Sequence, residues 1–338
     1  MPTHVTNEWW ASFRIYLLPR PLSLLANGLH FWCGVVLVFV AGTSLQSFLF
    51  IFLWFFIQEG IVQQAKYMWN DVRDHGRDQH LPANQHRIVA CKPITAVTYL
   101  LLILRWIMGL LLAWWLSPLC FALLIIITIL QIIYERWGKP YAGRFPLLPL
   151  LIVGLGAGCK LGGGLLAAGW PVTSASFWLL IIGMLGIGIG YGATLWRVEA
   201  EYLHARQLDW HRGQSAFFWE NGRFWLRAGT LISLLAGIVL VCLGWKGGGT
   251  AVAAMLFIGA TLILYRLHAH TDYQQFNWLY ARQNWPQYQK IIHDQLPVKS
   301  TLACWLVLLQ LTLNLNSAQF QSHVQRFATQ KMSIGSSD

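Results

Sequence analysis

The sequence predicts an all-α integral membrane protein with about nine transmembrane helices, and three features of its 338 residues carry that prediction. Hydrophobic residues make up 56% of the chain and charged residues only 11%, against roughly 25% charged in a soluble domain. Apolar runs of about twenty residues recur along the whole length, enough to cross a bilayer as helix, and they do not alternate as membrane strands must. The third feature is the placement of Lys and Arg, which gather in alternate connections between the runs.

The runs fall at 21–41, 47–67, 94–116, 117–134, 146–169, 176–197, 224–244, 250–268 and 301–317. The third and fourth meet at Ser117-Pro118, which predicts a tight helical hairpin. Runs five to eight are rich in glycine, which lets helix backbones approach closely in lipid. Gly186, Gly188, Gly190 and Gly192 alternate within run six and predict a local loosening of that helix. A net charge of +11 could suggest nucleic acid, but its distribution excludes that reading. With the N-terminus cytoplasmic, most Lys and Arg fall in the N-terminal segment and in inward loops near 70–93, 135–145, 198–223 and 269–300. This positive-inside bias sets the predicted topology. Many of the 19 Trp lie near run ends, as in an interfacial aromatic belt. No cleavable signal peptide is expected. Cys33, Cys91, Cys120, Cys159, Cys242 and Cys304 form no Cys-x-x-Cys pair and read as apolar fillers.

The chain has only 13 acidic residues, each costly in or near lipid, and they cluster. Asp71, Asp74 and Asp78 lie in the loop after run two. Glu199, Glu201, Asp209 and Glu220 lie in the loop after run six. In Asn70-Asp71-Val72-Arg73-Asp74-His75-Gly76-Arg77-Asp78, steps of three and four put the three aspartates on one face if helix continues. Such a face repels itself unless a cation sits between the carboxylates. Mg²⁺ is a hard ion usually held by one or two carboxylates plus substrate phosphate oxygens. Arg73 and Arg77 stand beside them to take remaining phosphate charge. The bland alternative is a solvated acidic loop paired with its own arginines. Against it, Glu59, Gln63, Lys66 and Asn70 run at steps of four, three and four up the second span, a polar stripe that faces a cavity or bundle interior. His75, His204 and His211 read as solvated.

These residues resemble the UbiA superfamily of intramembrane prenyltransferases. Asn70 to Asp78 matches the four defining positions of its first aspartate-rich motif, and the resemblance spans most of residues 14–317. Arg20-Pro21 followed by Asn27 is similar to the family's entry to helix one. Arg87 opens a segment where many members read Arg-Pro-Ile-x-x-Gly; the Pro and Gly are missing here. Tyr134 and Lys139 resemble a phosphate-binding pair. Asp209, Gly213 and Gly222 fit the second motif, but Ala205 replaces its partner acid. Glu201, the nearest upstream acid, is ~12 Å from Asp209 along a helix, too far for both to bind one ion directly.

The resemblance implies helices around a central cavity and a reaction in which Mg²⁺ binds a polyprenyl diphosphate and an acceptor captures the allylic cation. It assigns Asp71, Asp74 and Asp78 to a first Mg²⁺ site, with Asn70 beside them, and Asp209 with Glu201 to a second. Diphosphate contacts fall to Arg73, Arg77, Arg87, Tyr134 and Lys139. Lys160, deeper in its span than snorkelling reaches, is read as a cavity residue of the same set. Domain boundaries follow: a cytoplasmic segment 1–20, a transferase domain 21–317 and a polar tail 318–338. The acceptor and the prenyl length are not encoded in any motif. A second reading is phosphoribosyl transfer onto a polyprenyl phosphate, since Asp78-x-His80-x-Pro82 and Arg197-x-x-x-Glu201 are similar to that branch. A third is a non-catalytic transporter or structural relative. The stretch 267–300, with Tyr273, Trp278, Trp285 and Tyr288, reads as amphipathic and membrane-lying.

Overall fold

The computed structural model describes residues 20–40, 45–78, 94–142, 144–205 and 213–242, and every regular element among them is helical. Seven long helices follow in order: α1 (Pro21–Val40), α2 (Phe48–Arg73), α3 (Ala96–Leu116), α4 (Pro118–Gly138), α5 (Leu147–Ala167), α6 (Ala175–Ala205) and α7 (Gly213–Cys242). They coincide with the first seven apolar runs. The runs at 250–268 and 301–317 and the stretch 267–300 lie outside the described residues. Helices α2 to α5 and the Ala175–Ala193 part of α6 are long and apolar enough to cross a membrane; the apolar parts Gly28–Phe39 of α1 and Phe224–Leu240 of α7 are shorter.

Local chemistry sets the helix ends. Ser47 caps α2 by accepting from the Phe50 amide at 3.3 Å. Thr95 and Thr98 form a reciprocal capping box at the start of α3. Ser117 serves two helices: its amide donates to the Ala113 carbonyl at 3.0 Å, closing α3, and its Oγ accepts from the Leu119 amide at 3.2 Å, opening α4. Pro118 at the first helical position needs no amide partner. This single residue makes the predicted hairpin.

The bundle wears its apolar residues outward. Trp115 is 79% exposed, and Leu111, Trp114, Ile126 and Ile129 are exposed with it. Inside, Gln58, Glu59, Gln63 and Gln64 are fully buried. Lipid as the surrounding solvent accounts for this inversion. One apolar cluster drawn from all seven helices includes Phe31, Leu37, Trp54, Ala113, Leu124, Leu161, Leu180 and Leu240.

Glycine decides how closely the helices approach. A Cβ on Gly164 of α5 would collide with the Phe31 carbonyl of α1, and one on Gly229 of α7 with the Gly186 carbonyl of α6. The glycines of run six therefore do not loosen α6, which is continuous from Ala175 to Ala205. They sit where it meets α5 and α7 backbone to backbone.

Two departures from regular α-helix matter for the interior. Phe56–Val62 of α2 and Tyr134–Gly138 of α4 are π-helical. A π-turn inserts an extra residue into the helical repeat and is frequent at functional sites. In α2 it turns the neighbours Gln58 and Glu59 both inward.

Candidate functional site

The helix that begins in the apolar core as α2 ends among charges. It runs six residues past the predicted span end, to Arg73, so helix does continue through the start of the motif. Asp74 caps it, its amide donating to the Asn70 carbonyl at 2.9 Å, and a single turn of helix follows at His75–Asp78.

Each described carboxylate of the motif meets a cation from another part of the chain. Asp71, only 2% exposed, receives the Arg20 guanidinium on both oxygens: Nη2 pairs with Oδ1, and Nε reaches Oδ2 at 3.3 Å. The planar fork of Arg suits this two-point contact. Arg20 is itself held by three residues up α2. Its amide donates to Gln64 Oε1 at 3.0 Å, its guanidinium lies 5.1 Å from the Tyr67 ring centroid, and Asp71 completes the row. Positions 64, 67 and 71 follow the three–four spacing of one helix face.

Asp74 meets Lys139, which caps the π-turn of α4. Lys139 Nζ donates to Asn70 Oδ1 at 2.5 Å and to Asp74 Oδ2 at 3.1 Å, and pairs with Glu135 Oε2 at 2.8 Å. Asn70 Nδ2 donates to Asp74 Oδ2 at 3.2 Å, and Gln131 Nε2 to Glu135 Oε1 at 2.8 Å. The ammonium also lies 5.3 Å from the Tyr134 ring centroid. Asn70, Asp74, Tyr134, Glu135 and Lys139 thus form one hydrogen-bonded rim across α2 and α4.

Beneath the rim lies a cavity of about 170 Å³. Arg20, Lys66, Tyr67, Asn70, Gln131 and Tyr134 supply its polar lining; Ile127, Leu130, Ile152 and Val153 supply its apolar lining. The polar stripe of the second span divides here. Lys66 and Asn70 line the cavity, whereas Glu59 and Gln63 are fully buried deeper in the bundle.

Of the residues singled out in the sequence, Asn70, Asp71, Asp74, Tyr134 and Lys139 come together. Arg73 is exposed on the last turn of α2. Arg77 and Asp78 fall in the short turn and Glu201 near the end of α6, their side chains outside the description, as are Arg87 and Asp209 altogether. Lys160 is 7% exposed within α5 and does not line the cavity. Its charge interacts with Glu59 instead. Arg20 and Glu135 join the site without having been singled out for it, and Lys66 joins it from the polar stripe. For Arg20 the available signal was its place directly before helix one, and for Glu135 its i,i+4 spacing to Lys139.

Apolar-surfaced helices around a polar interior, ending in carboxylates matched to cations above a cavity, define a polytopic membrane protein with a charged rim at one end of its bundle. The chain belongs to the UbiA prenyltransferase family, whose sequence profile matches residues 27–284. Solved structures share the fold. A UbiA homologue from Archaeoglobus fulgidus bound to DMAPP and Mg²⁺ is 15% identical, with a TM-score of 0.58 over 82% of this chain and 98% of that one. A second structure of a UbiA homologue from the same organism is 14% identical, with a TM-score of 0.58 over 90% and 99%. The apo UbiA homologue from Aeropyrum pernix K1 is 14% identical, with a TM-score of 0.55 over 85% and 98%. No curated protein matches the chain in sequence.

Proposed function

We propose that the chain transfers a polyprenyl group from a prenyl diphosphate to an acceptor inside the membrane, with Mg²⁺ held at Asp71, Asp74 and Asp78. The observation that carries this reading is the rim itself: the Asp71 and Asp74 carboxylates, the Asn70 amide, and the Arg20 and Lys139 cations, all above an internal cavity. The donor chemistry fits the metal: Asp71 and Asp74 would offer carboxylate oxygens, the hard donors that Mg²⁺ prefers, once their cations turn to the phosphate. The metal supplies charge neutralisation of the diphosphate as it leaves. The binding of DMAPP and Mg²⁺ by the Archaeoglobus fulgidus homologue supports the same assignment.

The protein's own groups have distinct tasks. Lys139 and Arg20 hold the carboxylates in place and offer charge-assisted hydrogen bonds to phosphate oxygens. Tyr134 and Tyr67 flank the space beneath. Ile127, Leu130, Ile152 and Val153 keep that side of the cavity apolar, which limits water near a carbocation. In the reaction the bond between the allylic carbon and the diphosphate oxygen breaks, and its electrons stay on the diphosphate. The acceptor nucleophile forms the new bond and loses its proton. Asp209 is proposed for the second metal position, with Glu201 serving it less directly, and Arg73, Arg77 and Arg87 for outer diphosphate contacts. The rim and the connections near 135–145 and 198–223 are assigned to the cytoplasmic face.

Asp74→Ala tests the reading. Mg²⁺-dependent diphosphate release should vanish at matched membrane abundance, because the substitution removes the carboxylate shared by Asn70 and Lys139. Wild-type turnover in that variant overturns the assignment. Turnover with phosphoribosyl diphosphate and a polyprenyl phosphate, in place of a prenyl diphosphate, would move the chain to the phosphoribosyl-transferring branch.

A further inference from the structure

Asp71 and Asp74 are both engaged by cations of the chain itself, and the two arrangements repeat one plan. Asp71 is 2% exposed, and Arg20, at 20%, covers it with a contact to each carboxylate oxygen. The Arg20 guanidinium lies 5.1 Å from the Tyr67 ring centroid, and its backbone is pinned by the amide that donates to Gln64 Oε1 at 3.0 Å. On α4, Lys139 Nζ donates to Asp74 Oδ2 at 3.1 Å and lies 5.3 Å from the Tyr134 ring centroid, while the Lys139 amide donates to the Tyr134 carbonyl at 2.8 Å. Each unit is thus a cation with a fixed backbone, an aromatic seat and a carboxylate. Tyr67 and Tyr134 both line the cavity, so the two seats face one space.

That plan decides what the rim accepts. A divalent ion arriving alone has to displace Arg20 to reach Asp71 and Lys139 to reach Asp74. The displaced cations would then stand beside the metal with no anion of their own, and like charges at close range in partly buried surroundings repel strongly. A diphosphate removes the conflict. It has one phosphoryl group for each cation, and charge-assisted hydrogen bonds to phosphate replace those to carboxylate. The face of Tyr67 or Tyr134 lets each cation turn from one anion to the other without leaving its ring.

We infer that Arg20 and Lys139 are resident counter-ions that lock the acidic motif against free divalent metal, so that Mg²⁺ and a diphosphate are taken up only together. The lock rests on the metal assignment made for prenyl transfer above, and it adds a selectivity which that assignment does not contain. An orthophosphate has a single phosphoryl group and leaves one of the two cations on its carboxylate, so it does not open the rim. Between turnovers the motif stays neutralised by the chain's own side chains, and the buried Asp71 is never left bare.

The test is metal binding, read without turnover. Equilibrium dialysis of the purified full chain uses radioactive Mn²⁺ in place of Mg²⁺ and inorganic diphosphate as the anion. The wild type should retain little Mn²⁺ alone or with orthophosphate and should retain it with diphosphate, a comparison that needs no variant to fold. Arg20→Gln should bind Mn²⁺ alone at least about tenfold more tightly than the wild type, since one cation fewer faces the ion. Melting temperature gives a second readout. Mg²⁺ alone should leave the wild type unmoved and should raise Arg20→Gln, where the metal takes the place of the lost guanidinium; Mg²⁺ with diphosphate should raise both. If Arg20 only holds the structure together, Arg20→Gln melts lower and stays unresponsive to Mg²⁺ alone, which overturns the lock. Wild-type retention of Mn²⁺ alone, as tight as with diphosphate and removed by Asp74→Ala, overturns the lock and leaves the metal site and prenyl transfer standing. Retention only with diphosphate, without release of diphosphate from any prenyl donor, keeps the lock and overturns prenyl transfer. No retention of Mn²⁺ under any of these conditions overturns both.

Discussion

Lys139 bears on two carboxylates and an amide at once, so its removal has separable effects. Lys139→Ala should weaken donor binding by an amount on the order of 1.5–3 kcal/mol, the worth of a hydrogen bond to a charged group. Calorimetric titration of the purified variant with donor and Mg²⁺ measures this, and unchanged affinity would leave Lys139 a topogenic residue only. Arg20 differs because its partner Asp71 is nearly inaccessible. Arg20→Ala leaves a buried carboxylate without its cation, so it should lower thermal stability as well as turnover, while Asp71→Asn should lower turnover and spare stability. Melting temperatures of the two variants, taken without Mg²⁺, check the contrast. At this scale Asn70, Asp71, Asp74, Tyr134 and Lys139 were legible because each belongs to a short local pattern. The Arg20–Asp71 pair was not, since its members stand 51 residues apart and no spacing rule connects them. Lys160 stands apart from the described cavity for a related reason: depth in a span says that a lysine needs company, but not which company.

Between the apolar start of α2 and its acidic end, the π-helical stretch sets rotational phase. Deleting Gly60 should shorten the stretch and rotate everything beyond it by about 100°, one residue's turn. Asp71 and Asp74 would then leave Arg20 and Lys139. Helix content by circular dichroism should hold while diphosphate release is lost; retained release would show that the π-turn does not set the phase. On the far side of the bundle, Gly229→Leu forces a side chain against the α6 backbone and should destabilise the protein by about 1–3 kcal/mol. Thermal unfolding in detergent measures that cost. The helices themselves could be read from the sequence because length and apolarity suffice for a span. The π-turn could not, since seven residues in a largely apolar run give no period to follow. The alternating glycines of α6 pointed the wrong way because flexibility in an isolated helix becomes close contact once α5 and α7 press against it.

For the molecule as a whole, charge bias and acidic clustering both support the proposed cytoplasmic placement of the rim. A cysteine introduced at Gly248 should label only from the opposite face, and cytoplasmic labelling would invalidate the nine-span topology. The polar interior was legible in outline from the stripe Glu59, Gln63, Lys66 and Asn70. Its division into a cavity half and a sealed half was not, because that depends on how the neighbouring helices close around each side chain.

Helix α4 has two apolar faces only one side chain apart. Ile127 and Leu130 border the cavity, while Ile126 and Ile129 look outward. A space of about 170 Å³ is far smaller than a polyprenyl chain, so the distal isoprene units have to lie outside it. On the proposed reading the rim binds the head of the donor, and the described cavity lining sets no limit on the length of its tail. Donors of different length should therefore react at similar rates once bound, and the product spectrum in a cell should mirror the pool of prenyl diphosphates supplied to it.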